Sequence, residues 1–221
     1  MRILIACEFS GVVREAFAAK GHDVWSCDLL PTEQSGQHIQ GDVLEVINDG
    51  WDMMIAHPPC TYLTNAGVAH FNVRKYGQKA IDRWYKRIES FEFFMNLVNA
   101  PIEKIAIENP VGFPNSAYRK PDQIIHPYYF GERQMKRTCL WLKNLPNLWY
   151  WLEPDLFGER TASEKPEPVF VHERQPSKYY KGGEKKARYF VDAVAGYSNN
   201  HGHERSKSFS SIAEAMADQW G

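Results

Sequence analysis

Short apolar runs alternate with helical periods over the first half of the chain. Arg2-Ile3-Leu4-Ile5-Ala6-Cys7 is an unbroken apolar run closed by the turn Glu8-Phe9-Ser10-Gly11, the pattern of a strand buried on both faces. From Val12 to Lys20 the spacing becomes helical, with Val12, Val13, Ala16, Phe17 and Ala19 apolar and Gly21 just beyond as a stop. His22 to Asp28 reads as a second strand ending in an acid, and Gly41-Asp42-Val43 follows a polar loop. Trp51 to Ala56 and Glu103 to Ile107 are further buried strands, and Gln78 to Asn99 between them is a long amphipathic helix rich in aromatics. Strands alternating with helices predict an α/β fold with a doubly wound, mostly parallel sheet.

After about Pro114 this alternation stops. Thr138 to Leu142 reads as one more strand, and Leu145 to Lys186, rich in Pro, Gly, Trp, Tyr and charge, as loops or a small irregular insert. Ser211 to Trp220 returns to helical spacing, with Ser210 or Ser211 as its cap. The expected division is a first domain at 1–143, an insert at 144–196, and a segment with a helix at 197–221 that returns to the first domain.

Composition narrows the partners. The chain has 221 residues, 43% of them hydrophobic, and a formal net charge of -1, so attraction to a polyanion requires a local basic patch. Basic residues outnumber acidic ones by about four between Arg160 and Lys207, most densely at Lys185-Lys186-Ala187-Arg188-Tyr189. Cys7, Cys27, Cys60 and Cys139 lie far apart with no CxxC pair. Without a secretory signal they read as reduced thiols of a cytoplasmic protein, not as disulfides or a metal site. No apolar stretch approaches the roughly 18 residues of a membrane span.

Two strand ends carry reactive groups. His57-Pro58-Pro59-Cys60 follows an apolar strand and sets a thiol at the end of a turn stiffened by two prolines. Glu108-Asn109-Pro110 ends another strand in the same way. A thiol and a carboxyl converging at the open edge of an α/β sheet have a defined use on a cytosine ring. A thiolate added at carbon-6 makes carbon-5 nucleophilic, and a carboxyl at the N3 edge orients the base. Gln134, Lys136 and Arg137 are candidates to hold the carbonyl oxygen, with surface charge the plainer role for Lys136 and Arg137.

The ligand half is read from the first strands. A strand, a turn with glycine and a helix form the usual cradle for an anion, but Gly11 stands alone and GxGxxG is absent. Asp28 is placed to accept hydrogen bonds from a ribose diol and Asp42 to meet an adenine amino group. An adenosine ligand without a pyrophosphate, S-adenosyl-L-methionine, fits this better than a dinucleotide. Ordinary solvated strand-end acids are the alternative for both residues.

In order along the chain these motifs resemble those of the cytosine-5 DNA methyltransferases. Phe9-Ser10-Gly11 is similar to the cofactor turn, Asp28 to the acid after the second strand, and Asp42 in Gly41-Asp42-Val43 to the third motif. Pro58-Pro59-Cys60 resembles the nucleophile loop, Glu108-Asn109-Pro110 the Glu-Asn-Val motif, and Gln134-Met135-Lys136-Arg137 the Gln-x-Arg-x-Arg segment. The last helix occupies the place of the final motif.

The resemblance implies the Rossmann-like fold of S-adenosylmethionine-dependent methyltransferases, DNA as partner and a flipped-out cytosine. It implies Cys60 as nucleophile, Glu108 on the base, and Lys136 or Arg137 on a carbonyl oxygen or phosphate. Phe9, Ser10, Gly11, Asp28, Asp42 and Pro58 would surround the cofactor. The short region from Asn144 to Gly196 would contact DNA through its basic residues and Trp149, Tyr150, Trp151, Tyr179, Tyr180 and Tyr189, and the small size fits a minimal, phage-type member. Glu8 stands where the family has leucine, and Thr61 where it has glutamine.

Two other classes stay open at this stage. An amino-methyltransferase acting on adenine N6 or cytosine N4 also has a Pro-Pro turn after a strand, but His57 and Cys60 are poor matches to its flanking positions. A non-catalytic, DNA-binding relic of the fold is the other, favoured by the single glycine of the first turn.

Overall fold

The computed structural model describes residues 1–150, 165, 167, 170–173, 185–188 and 208–221. Seven strands form one sheet: β1 (Arg2–Ala6), β2 (Asp23–Asp28), β3 (His38–Gln40), β4 (Met53–Ala56), β5 (Lys104–Pro110), β6 (Gln123–Ile125) and β7 (Thr138–Lys143). Their spatial order is β3-β2-β1-β4-β5-β7-β6. The first five run parallel, and β7 is antiparallel to both of its neighbours. The helices are α1 (Val12–Ala18), α2 (Val43–Val46), α3 (Val73–Tyr76), α4 (Gln78–Val98), α5 (Pro114–Ala117) and α6 (Ser210–Trp220), with 3-10 turns at Asn65–Phe71 and Pro127–Phe130. The result is a mixed α/β architecture with a mostly parallel sheet.

The central strands are buried on both faces, which is why their sequences are continuous apolar runs. Leu4, Ala6, Met54, Ala56, Ile105 and Ile107 pack with Phe94 and Leu97 of α4 and with Val43, Ile47 and Trp51. The alternate residues Ile3, Ile5, Met53, Ile55 and Ala106 point the other way and are equally buried. α6 packs against α1, burying Ile212, Ala213, Ala215, Met216, Ala217 and Trp220. Lys20 pairs with Asp218 at 2.5 Å, and Trp220 Nε1 donates to Pro146 O at 3.0 Å.

Several boundaries differ from the sequence reading. β5 runs to Pro110, because β7 pairs with it as far as Pro110 opposite Thr138. Glu108 and Asn109 therefore lie inside a strand. α6 is capped by Phe209 rather than by Ser210 or Ser211, and no side-chain cap bond forms. β3 and β6, three residues each, carry no periodic signal.

Contacts divide the chain into two units. The first comprises Met1–Ile125, Arg137–Trp149 and Ser208–Gly221, and the second His126–Lys136 and Tyr150–Lys207. Residues 126–136, placed by sequence in the first domain, thus cluster with the second unit. That unit contains an antiparallel pair, β8 (Phe170–Glu173) and β9 (Lys185–Arg188), and an aromatic group in which Tyr129 meets Tyr128 at 4.6 Å and Tyr150 at 4.4 Å. Trp151, Tyr179, Tyr180 and Tyr189 of the expected DNA-contacting region lie outside the described residues. Among those described, no helix is long and apolar enough to cross a membrane and no side-chain group could hold a metal ion.

Candidate functional site

β1 and β4 are neighbours, with β2 and β3 on one side and β5 on the other. That reversal of strand order opens a crevice at the carboxyl ends of the strands. A cleft of about 380 Å³ lies there, a size that suits a small molecule. Cys7 after β1, Cys27 and Asp28 at the end of β2, Asp42 after β3 and Pro59 after β4 line it. Glu89, Ser90 and Phe93 of α4 close the other wall.

The cleft is electronegative. Asp28, Asp42 and Glu89 line it, and among the described residues no lysine or arginine does. Its two thiols register the same field. The Cys27 thiol is pushed up to about 11 by burial, then by Asp28, Asp42 and Glu45. Burial and the same two aspartates push Cys7 up further. Asp28 accepts from Leu30 N at 2.9 Å, and Asp42 caps α2 by accepting from Leu44 N at 3.0 Å. Each keeps lone pairs for a ligand.

The first turn is built differently from an anion cradle. Glu8 is buried, and its carboxylate accepts from Val13 N at 2.6 Å and Arg14 N at 3.2 Å, two of the orphan donors of α1. Ser10 Oγ donates to the same carboxylate at 3.3 Å. The helix N-terminus is thus filled by the chain itself. Phe9 and Ser10 are buried beneath it, and Phe9, Ser10 and Gly11 do not line the cleft. Gly11 turns the chain with φ 76°, a conformation that favours glycine.

Arg14, 1% exposed, organises the loop after β2. Its guanidinium donates to Ser26 Oγ at 3.0 Å, Thr32 Oγ1 at 3.2 Å and Gln34 O at 2.8 Å.

The thiol and the carboxyl share one rim. β4 and β5 run in register, with Ala56 opposite Ile107, so His57 and Glu108 leave the ladder side by side. Beyond that point the two chains are stitched together. Asn109 Nδ2 donates to Pro58 O at 2.8 Å, Phe113 N to Leu63 O at 2.7 Å and Asn65 N to Val111 O at 3.2 Å. Leu63 N and Thr64 N both donate to Cys60 O, which closes a turn on the nucleophile candidate. Gly112 permits this approach: a Cβ there would sit 2.0 Å from Leu63 O. Cys60 is half-buried and Pro58 buried, while Pro59 is exposed and reaches the cleft.

His57 Nδ1 meets Glu108 Oε2 at 3.2 Å, with the two side chains 9% and 17% exposed. Against an ionised carboxylate, which only accepts, the imidazole carries its proton on Nδ1. Its Nε2 is then buried without a hydrogen-bond partner among the described residues. Glu8 lies close enough to interact electrostatically with His57. Burial raises the Glu8 carboxyl above its ordinary value, and His57 and the helix donors oppose that shift.

The remaining predicted residues divide. Arg137 is exposed and directly precedes Thr138, the partner of Pro110. Its charge and that of Glu108 both reach the buried Cys139 thiol, which burial raises. Lys136 belongs to the second unit.

The structure therefore brings the loop of Cys60 and Glu108 to one rim, with Arg137 just before the adjoining strand β7. Asp28, Asp42 and Pro59 meet in the cleft beside them. Glu8, Arg14, Gly112 and the pairing of His57 with Glu108 escaped the sequence reading. Only Glu8, an acid inside a first-turn motif, left a trace there. No protein-family model matches the chain, and no curated protein matches it.

Proposed function

We propose that the protein transfers a methyl group from S-adenosyl-L-methionine to carbon-5 of cytosine in DNA through a covalent adduct with Cys60. One observation carries this reading: the Pro-Pro-Cys turn runs from a ligand-sized, carboxylate-lined cleft to a rim where its loop is tied to the strand end that bears Glu108. The seven-stranded order, with one antiparallel strand between β5 and β6, is compatible with the Rossmann-like methyltransferase fold.

The cleft suits the cofactor chemically. Its carboxylates favour a ligand with ammonium and sulfonium charges and disfavour a pyrophosphate. Asp28 would hold the ribose hydroxyls and Asp42 the adenine amino group. When bound, S-adenosylmethionine supplies an electrophilic methyl group.

The chain's own residues then prepare the base. Cys60 forms a bond to carbon-6, and the ring π electrons move to make carbon-5 nucleophilic. Glu108, oriented by His57, holds the N3 and amino edge. Arg137 is the cation available in the same unit for the carbonyl oxygen or a flanking phosphate. After transfer, the carbon-5 proton leaves to water and the Cys60 sulfur is expelled with its bonding pair.

The test is incubation of the protein with labelled cofactor and unmethylated DNA, followed by nucleoside mass spectrometry. 5-Methylcytosine is expected from the wild type and none from Cys60→Ala, with calorimetric binding of the cofactor retained in both. A methyl group on nitrogen, turnover by Cys60→Ala, or absence of both product and cofactor binding overturns the reading.

A further inference from the structure

We propose that the exposed face of α3 and the first half of α4 grips the phosphate backbone of duplex DNA beside the reacting base; this rests on the reading of the protein as a DNA methyltransferase. Between Thr61 and Ile88 the chain carries six lysines and arginines and one carboxylate, Asp82, in a protein of net charge -1. The excess is therefore local to this part of the first unit.

Two of these cations bond to backbone carbonyls, and Lys75 and Lys86 lie over the Tyr76 and Tyr62 rings at 5.0 and 5.7 Å. Arg87 is buried and donates to Tyr62 O at 2.9 Å, and Arg83 donates to Thr61 O at 3.0 Å. They fasten the segment just past Cys60 onto α4, which ties this face to the nucleophile turn. The other four, Arg74, Lys75, Lys79 and Lys86, are exposed, and among the described residues none of them makes an ion pair.

Helix stability does not explain the arrangement. The first turn of a helix carries partial positive charge, so a cation there, such as Lys79, is unfavourable. α4 has no acidic residue in its first turn, and places Lys79, Arg83, Lys86 and Arg87 in its first half with Glu89 and Glu92 after them. A face shaped only by solubility and helix stability has the reverse polarity. Tyr85 and Ile88, 63% and 51% exposed, stand among the cations and supply apolar surface for sugar edges.

The polarity of α4 matches two ligands of opposite charge. Glu89, Ser90 and Phe93, from its midpoint onward, line the carboxylate-rich cleft, and Arg83 and Arg87 before them hold the segment that follows Cys60. Charges spread over two helices fit a repeating row of phosphates rather than one anion.

The test uses the full chain, a fluorescent DNA duplex and anisotropy titrations at several salt concentrations. The variant Arg74→Gln/Lys75→Gln/Lys79→Gln is compared with wild type, with the charge-conserving Arg74→Lys/Lys75→Arg/Lys79→Arg, and with Lys120→Gln before β6 as a remote control. Three lost phosphate contacts reduce the slope of log affinity against log salt by about 2.7. Between 50 and 200 mM salt the wild type then loses about 40-fold more affinity than the neutral variant. The expected result is this reduced slope with an unchanged melting temperature and unchanged cofactor binding, and a wild-type slope in the charge-conserving variant. Wild-type affinity and slope in the neutral variant overturn the proposal, as does an equal loss in Lys120→Gln. Either outcome alongside 5-methylcytosine formation leaves the methyltransferase reading standing, whereas a wild type that forms no product and binds no duplex ends both.

Discussion

Replacing Gly112 by alanine tests whether the thiol and the carboxyl are held by the stitch between their loops. In ordinary circumstances Gly→Ala at a compatible position stabilises by about 0.4–1 kcal/mol. Gly112 does not have positive φ, so its backbone conformation is open to alanine. The obstacle is contact: the new Cβ falls 2.0 Å from Leu63 O, 2.8 Å from Leu63 C and 2.9 Å from Thr64 Cα. All three are backbone atoms, so no side chain can swing aside. Reaching an ordinary separation requires the strands' extensions to part by about 1 Å or more. The Phe113 N to Leu63 O bond, 2.7 Å in the wild type, then lengthens beyond useful range.

One broken and unsatisfied backbone pair, with strain on its neighbours, costs about 2–4 kcal/mol. For a protein of this size that lowers the melting temperature by roughly 5–15 °C. A displacement of about 1 Å at reacting groups costs about a hundredfold in turnover. Thermal unfolding followed by circular dichroism measures the first effect, and methyl incorporation at saturating DNA the second. Gly41→Ala, where nothing lies within 4 Å of the new Cβ, serves as the stability control. A Gly112→Ala protein that melts within a degree of wild type refutes the argument whatever its activity.

Three further outcomes are expected. Glu8 has a raised carboxyl, so the stability it contributes is fully present below its ordinary value near 4.5 and is lost as pH rises through the higher folded value. Urea unfolding should show the wild type gaining on Glu8→Gln as the solution is acidified, and a pH-independent difference would contradict the burial argument. His57→Ala, which frees Glu108 from its 3.2 Å contact, should lower kcat about tenfold to a hundredfold with little change in KM for DNA, while His57→Gln recovers part of the loss. Equal kcat in all three proteins would remove His57 from any positioning role. Because Cys7, Cys27 and Cys139 all have thiols raised by burial, iodoacetamide near neutral pH should label Cys60 first by peptide mapping; faster labelling of Cys27 would be inconsistent with its thiol at about 11.

What was legible in the sequence follows from the range over which each signal acts. β1, β2, β4 and β5 announce themselves because strands enclosed by helices need apolar side chains on both faces. β3 has a single apolar residue, Ile39, and is held by its partner: Ser26 N donates to Gln37 O, and Ser26 Oγ lies 2.9 Å from His38 Nδ1. Nothing within the segment predicts that ladder.

The same contrast holds at the site. Cys60 stood out because two prolines fix its turn locally, and Asp28 and Asp42 because they follow apolar strands. His57 was read as a turn residue, since its partner Glu108 is 51 positions away. Arg14 carries no local signal, because its side chain is enclosed by a loop about 20 residues further on. Gly112 is an unremarkable glycine until the neighbouring chain is seen pressing on it.

The carboxylate of Glu8 has a consequence for ligand choice. Parallel α/β sheets commonly recruit nucleotides by offering the bare amides of their first helix to a phosphate. Here the buried Glu8 carboxyl already occupies that berth, so a phosphate arriving there is sterically excluded. The first turn is thereby closed to a dinucleotide's pyrophosphate by the chain's own side chain.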